Sequence, residues 1–332
     1  MKAILSQAPG GPETLVFEDA PAPEAKRGEV VIAVRACGVN FPDTLIIQDV
    51  YQFKPERPFS PGGEVAGVVA SVGEGVDALK AGDRVAASMI WGGYSQQVAV
   101  SADAVFKIPD EISFETASCF PLAHGTSLHA LKDRANLQAG ETLLVLGAAG
   151  GVGIAAVQIG KLMGARVIAA ASSEEKVEAC RAAGADAGLV YPRAPFDKAT
   201  AKSISSQIKE IAADHPVDVV YDAIGGPYAE PALRAVNWNG RYLVVGFAAG
   251  AIPKIPLNLL LLKGCSAVGV FWGEFAKREP LAFRANFDLL CDWISAGELT
   301  PLIDRVYDLE NAADALKALS ERRVIGKLVL RT

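Results

Sequence analysis

The chain has 332 residues, more than one hydrophobic core usually holds, so two domains are expected. With 51% hydrophobic and 21% charged residues, 32 glycines and 19 prolines, it is a compact, turn-rich globular protein, and disorder is excluded. The net charge of −6, with no cluster of lysines and arginines, excludes a nucleic-acid partner.

The N-terminal MKAILSQAPGG carries too short an apolar run for a signal-peptide core. The longest apolar stretch, IPLNLLLLKG, is interrupted by Pro256, Asn258 and Lys263, well short of a membrane span. A cytoplasmic protein with no membrane partner is expected. The five cysteines are scattered singly, without a C-x-x-C pair, which suits reduced thiols and provides no structural zinc motif.

In chain order, the first third reads as short strands. VVIAVRA, EVAGVVASV, DRVAAS and SQQVAVS are separated by Gly62-Gly63, Gly73, Gly75, Gly82 and Gly92-Gly93, which suggests a small β-barrel or sandwich. From Glu111 the segment ISFETASCFPLAHGTSLHALKDRA reads as helical. After it ETLLVLG, IAAVQIGKLMG, RVIAAAS, EEKVEACRAAG, GLVY, a helix around Ile204 to Ala213, DVVYDAIGG and GRYLVVG alternate strand with helix. Apolar strands in that order indicate a doubly wound parallel sheet, so the fold class is α/β with a β-rich first domain. LKALSERR and GKLVLRT close the chain as a helix and a strand that returns to the first domain. The expected division is 1–120 with 261–332, and 121–260.

GETLLVLGAAGGVGIAAVQIGKLMG is the most informative segment. A buried strand enters a turn with glycines at 147, 150, 151 and 153, and a helix follows at once. Small residues let the backbone approach a pyrophosphate, and the N–H groups and dipole of a helix N-terminus face its charge. The spacing is G-x-x-G-x-x-G, not the commoner G-x-G-x-x-G. By itself such a turn serves equally as a tight strand-to-helix joint; the strand before it and RVIAAAS after it at the βαβ distance favour phosphate binding. At the end of RVIAAAS, a site for NAD usually has an acid. Here Ser172, Ser173 and Lys176 suit a 2′-phosphate and point to NADPH, while Glu174 opposes it.

These motifs resemble one family, the medium-chain dehydrogenase/reductases, and within it the zinc-free quinone oxidoreductase and zeta-crystallin branch. The resemblance rests on the turn Ala148-Ala149-Gly150-Gly151-Val152-Gly153 with Gln158 and Lys161, and on C-G-V-N-x-x-D beginning at Cys37. It extends through Pro61-Gly62-Gly63-Glu64, Gly82-Asp83-Arg84-Val85, Gly92-Gly93-Tyr94 and Gly326-Lys327-Leu328-Val329-Leu330. It covers essentially the whole chain and implies a GroES-like catalytic domain, a Rossmann domain and a cofactor in the cleft.

Departures from the zinc alcohol dehydrogenases matter as much. Asn40 stands where those relatives have a ligand cysteine and Gly63 where they have a histidine, and Val85 to Gln97 contains no cysteine for a structural site. A catalytic zinc needs three protein ligands, so no metal is expected. Hydride transfer from NADPH to a quinone or another activated acceptor needs no Lewis acid. The resemblance places Asn40 near the nicotinamide ribose and substrate, with Asp43 and Tyr51 bordering the cleft and Tyr51 the candidate proton donor. On residue type alone, Tyr51 also reads as a half-buried loop aromatic and Asp43 as a first-turn helix acid.

By the same resemblance, Thr126, Tyr191, Ile224, Gly225, Gly246, Phe247, Ala248, Phe271, Trp272 and Gly273 contact the cofactor, and Lys327 reaches towards it from the last strand. On sequence grounds alone Phe271 and Trp272 read as core aromatics; only the resemblance makes them cofactor contacts. The three histidines form no motif with an acid or serine, which disfavours a hydrolytic triad. The resulting expectation is an NADPH:quinone oxidoreductase. Its alternatives are a reductase of enoyl thioesters or enones, and a non-catalytic NADPH-binding protein. A homodimer is implied by the resemblance, with an edge strand around Cys265 to Phe271.

Overall fold

The computed structural model describes all 332 residues and divides into two units, Met1–Leu122 with Cys291–Thr332, and Ala123–Leu290. The first unit begins with strands β1 (Lys2–Ser6), β2 (Leu15–Asp19), β3 (Glu29–Val39), β4 (Glu64–Val72), β5 (Arg84–Ser88), β6 (Gln97–Ser101) and β7 (Val105–Lys107). The second contributes β8 (Thr142–Leu146), β9 (Arg166–Ala171), β10 (Ala187–Val190), β11 (Val217–Asp222), β12 (Val236–Val244) and β13 (Ser266–Gly269). Strands β14 (Ile303–Asp308) and β15 (Lys327–Arg331) complete the first.

β3 is the spine of the first unit. Val30, Val31, Ile32, Val34, Ala36 and Cys37 are all buried, so adjacent residues that point to opposite faces both find packing partners. The strand pairs antiparallel with β4, β6 and β15 within a sheet ordered β14-β15-β3-β4-β5-β7. Register then determines which polar groups meet. Val39 faces Leu328 and Gly38 faces Glu64, so the end of β3 lies beside the starts of β4 and β15.

The second unit is a six-stranded parallel sheet ordered β10-β9-β8-β11-β12-β13. All five residues of β8, TLLVL, are buried, as a central strand covered on both faces requires. The helices Gly151–Leu162, Glu174–Ala182 and Lys198–Ala212 make the crossovers. The last two start where Ser173 and Asp197 accept N–H bonds from Lys176 and Thr200, so each cap sets a helix start. From β8 the chain winds outward through β9 and β10, then restarts on the other side at β11. That reversal puts a topological switch point between β8 and β11, where open α/β sheets bind ligands.

The terminal strand β15 pairs with β3 in the first unit. The second domain boundary is corrected: residues 261–290, assigned above to the catalytic domain, belong with the parallel sheet. Their strand β13 finds its hydrogen bonds on β12, and a strand sides with the sheet that satisfies its backbone. The helical run from Glu111 is also broken, into Phe114–Ala117, Ala123–Leu128 and a π-helical turn His129–Arg134. No helix is long and apolar enough to cross a membrane.

Candidate active site and nucleotide cradle

In the first unit, Asn40, Asp43, Glu64, Tyr94 and Lys327 form one buried polar cluster. Asn40 follows β3 and is the N-cap of the short helix Phe41–Ile46, whose third residue is Asp43. The Asp43 Oδ2 accepts the Asn40 backbone N–H at 2.8 Å and the Tyr94 hydroxyl at 2.9 Å, so this first-turn acid is both a capping group and a buried one. Lys327 Nζ donates to Glu64 Oε1 at 2.8 Å, to the Val39 carbonyl at 3.0 Å and to Asn40 Oδ1. Its three N–H bonds are therefore spent inside the cluster. The sequence expectation that Lys327 reaches towards a cofactor meets a side chain turned into the protein, because the buried Glu64 charge needs a partner there.

Glu64 accepts two further bonds, from Asn40 Nδ2 and from the Leu122 N–H, each at 2.9 Å. Gly38 is required for this approach: a β-carbon there would lie 2.5 Å from Glu64 Oε1 and 2.2 Å from the Ser118 carbonyl oxygen. Tyr51 is half-buried and packs at the edge of the first core, its ring 5.9 Å from that of Phe53. Burial, with the Asp43 charge adding to it, raises its phenol pKa, so it stays protonated. Cys37 is buried, its thiol raised by desolvation and inert. Glu64 and Tyr94 were not singled out from sequence as site residues, although both sit in the quoted motifs Pro61-Gly62-Gly63-Glu64 and Gly92-Gly93-Tyr94.

A metal does not fit here. No three His, Cys, Asp or Glu side chains come together in a metal-holding group. The Lys327 ammonium lies against both Asn40 and Glu64, so a second cation would meet repulsion.

In the second unit, the turn after β8 crosses the switch point. Gly147 has φ +72, and a β-carbon there would lie 2.6 Å from Ile224 Cγ2, in the loop after β11. At Gly153 it would lie 2.2 Å from the Gly147 carbonyl oxygen, so the helix can start only because this position has no side chain. Gly150 is the N-cap, and Gly151 and Val152 form the first turn, whose N–H groups have no partner along the helix. One strand away Ser172 and Ser173 are partly exposed; the Ser173 oxygen caps its helix and keeps its own proton to donate. Lys176 is partly exposed on the first turn, whereas Glu174 and Glu175 are exposed to solvent.

The structure also gathers Ile224, Gly225, Gly246, Phe247 and Ala248. A β-carbon on Gly225 would lie 2.8 Å from Phe247 Cδ1. The Ile224 and Gly225 N–H groups are held by Asp222 Oδ1, at 2.9 and 2.8 Å, and those of Gly246 and Ala248 by the Asp222 and Ala223 carbonyls. These four positions therefore offer shape, not N–H donors. Asp222 is anchored in turn by the Tyr242 hydroxyl. Tyr191 follows β10 beside Ala171, with its ring 4.7 Å from Tyr228. Trp272 packs on the helix of Thr126: a β-carbon on Gly125 would lie 3.0 Å from its Nε1. Phe271 is 54% exposed, so it is no core aromatic; it is the N-cap of the helix Trp272–Arg278, which contains Gly273.

Asp43 generates a prediction. Burial pushes its carboxyl up to about 7, against the lowering effect of the bonds from Asn40 and Tyr94. An unfolded aspartate titrates near 3.9, at roughly pH 4. The folded state thus holds this proton more tightly, which favours folding fully below that pH and is lost as pH rises through about 7. Melting temperatures of wild type and Asp43→Asn measured across this window should show the wild type losing stability relative to the variant. Parallel curves would refute the assignment.

Residues 26–110 match the family described as alcohol dehydrogenase GroES-like domain, and residues 151–290 the one described as zinc-binding dehydrogenase. Over 335 aligned residues the chain is 37% identical to a quinone oxidoreductase-like protein 2 homolog of Nematostella vectensis, covering 100% of this chain and 89% of that protein. The quinone oxidoreductase of Rattus norvegicus is 35% identical, with 99% and 97% covered. Among solved structures, a mycobacterial protein complexed with NADPH superposes with a TM-score of 0.92 at 31% identity, and both chains are covered completely. The Escherichia coli quinone oxidoreductase, also complexed with NADPH, superposes at 0.90 with 28% identity and the same full coverage. By sequence over its whole length and by the architecture of both units, the chain belongs to the quinone oxidoreductases of the medium-chain dehydrogenase/reductase superfamily.

Proposed function

We propose that this oxidoreductase is zinc-free and passes a hydride from NADPH to a quinone. The observation that carries the reading is the glycine turn at the switch point, with Ser172, Ser173 and Lys176 at the end of the neighbouring strand. The first-turn N–H groups of Gly151 and Val152 would hold the pyrophosphate, and the two hydroxyls with the Lys176 ammonium the 2′-phosphate. Tyr191 would border the adenosine side. Thr126, Ile224, Gly225, Gly246, Phe247, Ala248, Phe271, Trp272 and Gly273 would shape the nicotinamide side. When bound, NADPH supplies a hydride that an electron-poor acceptor takes up without a Lewis acid. The absence of a metal donor set around Asn40 supports that chemistry. Asn40 would orient the bound ligands, Asp43 would brace Asn40 through its backbone N–H, and Tyr51 would give its proton to the reduced acceptor.

The decisive measurement is an acceptor panel with NADPH and NADH side by side: a benzoquinone, a naphthoquinone, a crotonyl thioester and a simple alkenone. Turnover of the quinones with NADPH is expected. Faster turnover of the thioester or alkenone would replace the substrate, and tight NADPH binding without turnover would make the protein a binding module. Lys176→Ala should weaken NADPH by about tenfold, one charged hydrogen bond's worth, and leave NADH unchanged. Equal effects on both would overturn the phosphate assignment.

Tyr51→Phe should lower kcat by on the order of 100-fold, the contribution of a positioned proton donor, without changing NADPH affinity. Unchanged kcat removes the role.

A homodimer and a cytoplasmic setting belong to the same proposal. β13 is the last strand of its sheet, and Leu257, Leu261 and Leu262 nearby in sequence are 77, 79 and 71% exposed. An unpaired edge beside apolar side chains favours pairing with a second copy. The cysteines, none of them in a disulfide, suit a reducing compartment. Light scattering should give twice the chain mass, and Leu261→Asp with Leu262→Asp should halve it; a monomeric wild type refutes the dimer.

A further inference from the structure

We propose that Glu64 and Lys327 are positioning residues that lock the Asn40 amide in one orientation, leaving it able only to accept a hydrogen bond from a bound ligand. The inference rests on the reductase reading for its activity readout but on geometry alone for the orientation. An ammonium can only donate, so the Asn40 atom facing Lys327 Nζ must be Oδ1. A carboxylate and a carbonyl can only accept, so the atom facing Glu64 Oε1 at 2.9 Å and the Gly38 carbonyl at 3.3 Å must be Nδ2. The flipped amide would set donors against the ammonium and an oxygen against two acceptors.

The amide's capacity is then nearly used up. Both Nδ2 protons are given, so the amide has no donor left and only Oδ1 can face a ligand. Whatever group a ligand presents to Asn40 has to be a donor, such as a hydroxyl. A ligand carbonyl or phosphate oxygen would find nothing to bind there.

The pair is costly, which argues that it does more than hold the fold. The Lys327 and Glu64 side chains are 3% and 0% exposed, and such pairs are often no more stabilising than apolar residues of the same volume. Here every donor of Lys327 is matched, and three of Glu64's lone-pair sites are met, by Lys327, Asn40 and the Leu122 N–H. Removing one partner alone would strand a buried charge and unfold the cluster. The informative variant therefore removes both charges, as Glu64→Leu with Lys327→Met.

The test combines side-chain amide exchange with a double-mutant cycle. In wild type, nitrogen-15 spectra should show the Asn40 Nδ2 protons exchanging far more slowly than those of exposed asparagines; exchange at the exposed rate overturns the proposal without any variant. The double replacement should keep the melting temperature, speed that exchange, and lower kcat/KM with NADPH and a quinone by about 10- to 100-fold, as for a misplaced active-site group. In an Asn40→Ala background the same replacement should cost about twofold or less, because the residue it acts through is gone. An equal loss in both backgrounds would show that the pair only supports the fold, and unchanged activity would show that orientation does not matter. Should wild type turn over no acceptor while Asn40 exchange is slow and released by the replacement, the reductase reading falls and the positioning stands.

Discussion

A buried ammonium has to be neutralised, and the first unit is arranged around that need. Lys327 opens the last strand, Glu64 opens β4 and Asn40 closes β3, residues far apart in sequence that the register of three antiparallel strands places side by side. Glu64 supplies the charge, Val39 and Asn40 supply the remaining acceptors, and Gly38 lacks a side chain because the carboxylate occupies that space. The C-terminal strand is held to the N-terminal sheet by this cluster as well as by its ladder. Asp43 and Tyr94 extend the network, so the geometry at Asn40 depends on five side chains and not on one.

The second unit obeys a different constraint, the close approach of backbone to backbone. At the switch point the loop after β11 crowds Gly147 and the turn after β8 crowds Gly153, so neither position has room for a β-carbon. Asp222 ties down the Ile224 and Gly225 amides and is itself held by Tyr242, which makes this rim of the sheet rigid. In the proposed reading, a cradle for phosphates would be built from absent side chains and from N–H groups left over at a helix start. Selectivity would be added one strand away, by two hydroxyls and a lysine.

Parts of both sites were legible in the sequence because they depend on local chemistry. The glycine turn between an apolar strand and a helix, the serine cap before Glu174 and the C-G-V-N-x-x-D run all state their geometry within a dozen residues. Other features were not legible. No local signal reveals that Glu64 takes the Lys327 ammonium. The boundary near 260 failed because Ser266–Gly269 has no pattern that tells which sheet it joins; hydrogen bonding to β12 settles that. On residue type alone Phe271 reads as a core aromatic, but its side chain is 54% exposed.

The sequence by itself determined the two-domain α/β character, the family and the position of the glycine turn, since periodicity, turn glycines and caps act over a few residues. Only the tertiary structure decided that Asn40 is oriented by a buried ion pair, that Asp43 answers to Tyr94, and that the turns after β8, β11 and β12 meet. Those facts depend on strand register and sheet order, which long-range pairing decides and no short stretch of chain encodes.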